Sequence, residues 1–114
     1  MPLRLRLWII INTEEMASLN NIHPGEVLNE EFLKPMFISA YRLSKDLGIP
    51  QTRVSEIIKG RRRITADTAL RLGKYFGNSA HFWLGLQTDF DLEDEQIAIQ
   101  AELDAIPQVI PNQD

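Results

Sequence analysis

Two short amphipathic helix patterns joined by three residues constrain this chain more than any other feature. Ala40, Leu43, Ser44 and Leu47 recur at i, i+3, i+4 and i+7 behind Ser39, a residue suited to capping a helix start. Gly48-Ile49-Pro50 follows, and then a second pattern, Pro50–Lys59, with Val54, Ile57 and Ile58 turned inward and Gly60 behind it. Helices linked this tightly must cross closely. The crossing needs a small residue where they touch, which Ser44 supplies, and a residue that reverses the chain without steric cost, which Gly48 supplies. Leu43, Leu47, Ile49, Val54 and Ile57 provide the apolar contact between them. Together these positions fit a helix-turn-helix over residues 40–59.

The surrounding chain reads as further helices separated by short turns. His23-Pro24-Gly25-Glu26 opens one, with Pro24 in its first turn; Val27, Leu28, Phe32 and Leu33 form its apolar side, and Pro35 is expected to end it. Thr65 caps another, with Asp67 near its positive end, Ala66, Ala69, Leu70 and Phe76 as its expected buried stripe, and Gly77 as its stop. Ser79 caps a fifth, which carries Phe82, Trp83 and Leu86. Leu92 to Ala105 is helical by pattern and acidic outside, and Pro107 and Pro111 mark a fraying tail. The expectation is an all-α protein: a five-helix helix-turn-helix DNA-binding domain at residues 22–92 and an acidic helical extension and tail at 93–114. Residues 1–21 are set apart as an N-terminal extension, strand or disordered, because LRLRLWIII alternates briefly but has no partner strand. Met16 is an alternative natural start.

Function classes can be excluded in turn. No cysteine is present, so there is no disulfide framework, thiolate metal site or Cys nucleophile. No apolar run approaches the ~18 residues that span a bilayer. The stretch Leu7 to Ile11 is too short for a signal peptide, and Asn12-Thr13-Glu14-Glu15 follows it in place of a cleavage site. A cytoplasmic protein without a membrane partner is expected. His23 and His81 are the two histidines, and neither lies in a zinc-holding His-Glu-x-x-His pattern. The glycines punctuate or pack helices and form no phosphate loop, and Glu30-Glu31 and Glu93-Asp94-Glu95 read as solvated faces. No enzyme activity, metal or cofactor is expected.

Charge points elsewhere. The net charge is -4, but residues 34–74 hold ten Lys and Arg against three acids, and residues 75–114 hold eight acids and no Lys or Arg. A polyanion would meet the basic middle of the chain. With Val54, Ile57 and Ile58 inward, the second helix of the motif leaves Gln51, Thr52, Ser55, Glu56 and Lys59 outside. Gln pairs bidentately with an adenine edge, Thr and Ser reach bases or phosphates, and residues near the start of such a helix are those that meet base edges in the major groove. Gln51, Thr52 and Ser55 are therefore the candidate base readers. Arg53, Lys59, Arg61, Arg62 and Arg63 are the candidate phosphate contacts, which fix register without reading sequence.

HPGEVLNEEFLKPM at residues 23–36 and ITADTALRLGKYFGNSAHFWLGLQTDFDL at residues 64–92 strongly resemble the HigA-type antitoxins, some of them labelled virulence-associated protein I. These belong to the lambda-repressor-like, or XRE, helix-turn-helix class. The resemblance implies a homodimer that binds a palindromic operator in its own promoter and neutralises a RelE-like, mRNA-cleaving toxin, with Pro50–Lys59 as recognition helix. A stand-alone phage-type transcriptional regulator, sharing the fold but lacking the toxin, is the alternative. The strip Ile99, Leu103 and Ile106, with the fifth helix, is the expected dimer surface. The leader 1–21 and the acidic C-terminal stretch depart from the family pattern.

Overall fold

A computed structural model describes residues 21–111. The readings of strand, disorder and natural start made for residues 1–20 lie outside that range. Helix α1 runs from Pro24 to Met36 in three consecutive stretches, Pro24–Val27, Leu28–Leu33 and Lys34–Met36. His23 caps it, its Nδ1 accepting the Gly25 N–H at 2.9 Å. The middle stretch is wound wider than an α-helix, with the Lys34 N–H reaching back five residues to the Asn29 carbonyl. Pro35 does not end this helix, contrary to the sequence expectation. Proline lacks an N–H and its ring presses on the carbonyl four residues back; the wide turn ahead of it relieves both conflicts. The stop falls at Phe37, in the left-handed region at φ 56°. There Ile38 N–H donates to the Leu33 carbonyl at 2.9 Å and Phe37 N–H to the Lys34 carbonyl at 3.2 Å, the bond pair of a stop usually built on glycine.

Helix α2, Ala40–Leu47, starts at Ser39, whose side chain accepts the Arg42 N–H, and stops at Gly48 with φ 72°. Helix α3, Gln51–Ile58, follows with Pro50 at its N-cap and Lys59 at its C-cap. Helices α4, Ala66–Phe76, α5, Ala80–Ala98, and α6, Gln100–Asp104, complete the order. No strand occurs among the described residues. The architecture is all-α, a five-helix helix-turn-helix domain followed by a helical extension.

One core joins the first five helices. Leu28, Phe32 and Leu33 of α1, Leu43 and Leu47 of α2, Val54 and Ile57 of α3, Ala69 and Leu72 of α4, and Trp83 of α5 are buried together with Ile49 and Ile64 from the turns. Trp83 is fully enclosed. Its ring lies 5.0 Å from that of Phe32 and 5.1 Å from that of Phe82, and its indole N–H donates to Asn78 Oδ1 at 2.9 Å. That bond satisfies a buried donor that would otherwise cost about 1–3 kcal/mol.

Other helix readings change as well. Glu31, read as part of a solvated face, is buried at 2% exposure. On α4 the inward residues are Thr68, Ala69, Leu72 and Gly73, while Leu70 is 65% exposed and Ala66 is also outside. Leu72 lies two positions, about 200° of helical arc, from Leu70, so the two leucines cannot share a face. The fifth helix and the acidic segment are also not separate helices up to Ala98: α5 passes through Leu92 without a break and ends at Ile99. No proline, and no glycine beyond Gly85, interrupts it before that point.

Candidate nucleic-acid interface

The turn between α2 and α3 is built from both sides. Gly48 closes α2, with the Ile49 N–H bonding the Ser44 carbonyl at 3.1 Å, and Ile49 drops its side chain into the core. Ser44 is buried at the crossing and its hydroxyl donates to the Tyr41 carbonyl at 2.7 Å, so the small polar side chain is satisfied within its own helix. Val54 and Ile57 then fix α3 about its axis. The N-terminal turn of α1 rests on the far end of α3, and nothing in the described chain covers its start.

Gln51 and Thr52 are consequently exposed in the first turn of α3, and Ser55, one turn on, is half-buried. Among the described residues neither Gln51 nor Thr52 has a side-chain hydrogen bond. An unengaged primary amide and hydroxyl at a helix start can meet base edges, the amide offering both donors and an acceptor.

The cations around them are organised by carboxylates. Arg53 on α3 donates to Asp67 Oδ2 at 2.9 Å. Asp67 also accepts from Arg71 Nε at 3.1 Å, and Arg71 Nη1 bonds the Leu47 carbonyl at 2.7 Å, so α4 grips both helices of the motif. Hydrogen bonds from Arg71 and Arg53 hold the Asp67 carboxyl below the usual carboxylate range. Arg62 pairs with Glu56 at 2.7 Å, and Arg63 with Asp91 at 2.7 Å. Such exposed pairs contribute about 0.2–1 kcal/mol each and leave other guanidinium donors unused. Lys59 and Arg61 are exposed and have no ion-pair partner among the described residues.

Arg53, Arg62 and Arg63 converge with Arg71 on an open cleft of about 320 Å³, completed by Thr65, Asp67 and Thr68. Lys59 and Arg61 stand outside it. Arg71 is the residue that sequence reasoning missed. Its i+4 spacing from Asp67 signals a helix ion pair, but not that it also reaches across to α2. His23 caps α1 and His81 is exposed; among the described residues no cluster of His, Asp or Glu could hold a metal ion. No described helix is long and apolar enough to cross a membrane.

The fold and this surface define a helix-turn-helix DNA-binding regulator, and the family profile for helix-turn-helix domains (HTH_3) matches residues 31–83. Virulence-associated protein I of Dichelobacter nodosus is 56% identical over 72 residues, which span 63% of this chain and 67% of that protein. Antitoxin HigA-1 of Vibrio cholerae is 38% identical over 78 residues, covering 68% of this chain and 73% of that one. Among solved structures, the Pseudomonas aeruginosa antitoxin HigA with the higBA promoter superposes with TM-score 0.76 at 37% identity, over 80% of this chain and 100% of that chain. Antitoxin GraA in complex with its operator gives TM-score 0.75 at 37% identity, over 82% and 95%. The chain belongs to the HigA-type antitoxin family of XRE helix-turn-helix proteins, the family that includes virulence-associated protein I.

Proposed function

We propose that this protein is a sequence-specific DNA-binding antitoxin that represses its own toxin–antitoxin operon and neutralises a RelE-like, mRNA-cleaving toxin. The observation that carries the DNA half is the exposed first turn of α3, where among the described residues neither Gln51 nor Thr52 has a side-chain hydrogen bond, beside a cleft lined by four arginines. Gln51, Thr52 and Ser55 read bases, and Arg53, Lys59, Arg61, Arg62 and Arg63 hold the sugar-phosphate backbone. Relatives with this fold have been solved with promoter or operator DNA, which supports the reading.

The protein acts as a homodimer on a palindromic operator, its two recognition helices one DNA turn apart. The dimer surface lies along the end of α5 and beyond, where Ile97, Leu103 and Ile106 are exposed and Ile99 is half-buried. Residues 22–92 are the DNA-binding unit and 93–114 the extension. Toxin neutralisation rests on kinship with antitoxins.

A footprint on the DNA upstream of the protein's own gene, with and without the product of the adjacent gene, tests both halves. An inverted-repeat footprint, and co-purification of the adjacent product, are expected. A footprint without any such partner would assign the stand-alone regulator, and no footprint would remove the DNA reading.

A further inference from the structure

Helix α5 packs chiefly on α4 and on α1, and one of its polar residues is buried against the arginine turn. Gln87 is 2% exposed. Its Oε1 accepts the Ile64 main-chain N–H at 2.7 Å, and its Nε2 donates to Asp91 Oδ1 at 2.9 Å, one helical turn along. The other oxygen of Asp91 accepts from Arg63 Nη2 at 2.7 Å. A buried amide is costly unless both ends are bonded, and here both are. A glutamate would set two carboxylates against each other, and an apolar residue would leave the Ile64 N–H without an acceptor. The glutamine amide offers an acceptor to the turn and a donor to Asp91.

The turn is thereby pinned at both ends. At its start the Arg61 N–H bonds the Glu56 carbonyl at 2.8 Å; at its finish Ile64 is buried and bonded to Gln87. Arg63 stands directly before that anchor, its guanidinium held by Asp91 through Nη2, with its remaining N–H groups outside that contact. We propose that Gln87 and Asp91 are positioning residues for DNA binding: Gln87 fixes the main chain of the Arg61–Ile64 turn, and Asp91 aims the Arg63 guanidinium at a backbone phosphate. The inference rests on the proposed phosphate role of Arg63. It assigns to α5 a part in DNA affinity that Asp91, as an acid near a polyanion, would not have on charge alone.

Operator affinity at one salt concentration, measured for Asp91→Ala, Arg63→Ala and the double variant, tests this. Loss of an aimed contact is expected to weaken binding about fivefold in Asp91→Ala, the scale of an ion pair near 1 kcal/mol, although a negative charge has been removed. The double variant should match Arg63→Ala within about twofold, because Asp91 acts through Arg63. Gln87→Glu keeps an acceptor for Ile64 but opposes Asp91, and should reproduce the loss in Asp91→Ala. Tighter binding by Asp91→Ala, or an equal effect with and without Arg63, would overturn the inference and make Asp91 a competitor of phosphate. Wild-type affinity in Gln87→Glu would remove Gln87 from it. An unaffected Arg63→Ala would instead overturn the phosphate role beneath it, and this inference with it.

Discussion

Gly25 and Ile57 are in backbone contact: a Cβ on Gly25 would lie 1.7 Å from the Ile57 carbonyl oxygen and 2.6 Å from its carbon. The first turn of α1 thus rests on the main chain of α3, and no side chain fits between them. Gly25→Ala should cost about 1–3 kcal/mol, as overpacking of a tight contact does. Because relief requires α3 to shift, operator affinity should fall further than the lost stability explains. Denaturant unfolding and a binding titration of the folded protein separate the two effects.

His23 joins the same junction from outside. Its ring meets Phe90 edge-on at 4.9 Å, and its Nδ1 must be unprotonated to cap α1. Burial lowers its pKa from the ordinary 6.5, against the opposing pull of Asp91 and Glu26. The unfolded chain therefore binds the proton more readily than the folded one, and stability rises with pH across that interval. From this group alone, stability is constant above about pH 6.5, falls as pH drops below it, and levels off once the folded pKa is passed. His23→Asn should keep the cap and flatten that segment of the pH–stability curve, while His23→Ala should lose about 1 kcal/mol at neutral pH. Thermal unfolding between pH 7.5 and 5 reads both.

Phe37 closes α1 in a left-handed conformation while 92% exposed, whereas α2, α3 and α4 are closed by Gly48, Gly60 and Gly77. A β-carbon in that conformation costs roughly 1–2 kcal/mol, which the exposed ring does not recover by packing. After the added freedom of the unfolded chain is subtracted, Phe37→Gly should stabilise the fold by about 0.5–1 kcal/mol. An unchanged or lower unfolding midpoint would mean that the ring has a contact partner.

How far the sequence could be read follows from what it encodes locally. The caps at Ser39, Thr65 and Ser79, the stop at Gly48 and the inward Val54 and Ile57 are short-range signals, and each is found in place. Pro35 misled because a proline inside a helix depends on how the preceding turn can widen. Leu70 misled because two leucines two apart offer two helical phases, and only packing into the shared core selects Leu72. The exposed start of α3 follows from its own periodicity. The carboxylate partners of the arginines do not, since Arg53–Asp67 and Arg63–Asp91 join residues 14 and 28 positions apart.

The base-reading role given to Gln51 is the central claim, and one titration tests it most directly. Wild-type protein and Gln51→Ala are bound to the footprinted operator and to operators changed one base pair at a time, at two salt concentrations. The predicted result is that Gln51→Ala loses about 1–3 kcal/mol, becomes indifferent to the base pair at one position of each half-site, and keeps the wild-type salt dependence. Arg61→Ala, run alongside, should weaken all operators alike and reduce the salt slope by about one unit. Unchanged affinity and unchanged base preference in Gln51→Ala would contradict the assignment of α3 as the element that reads the sequence through that residue.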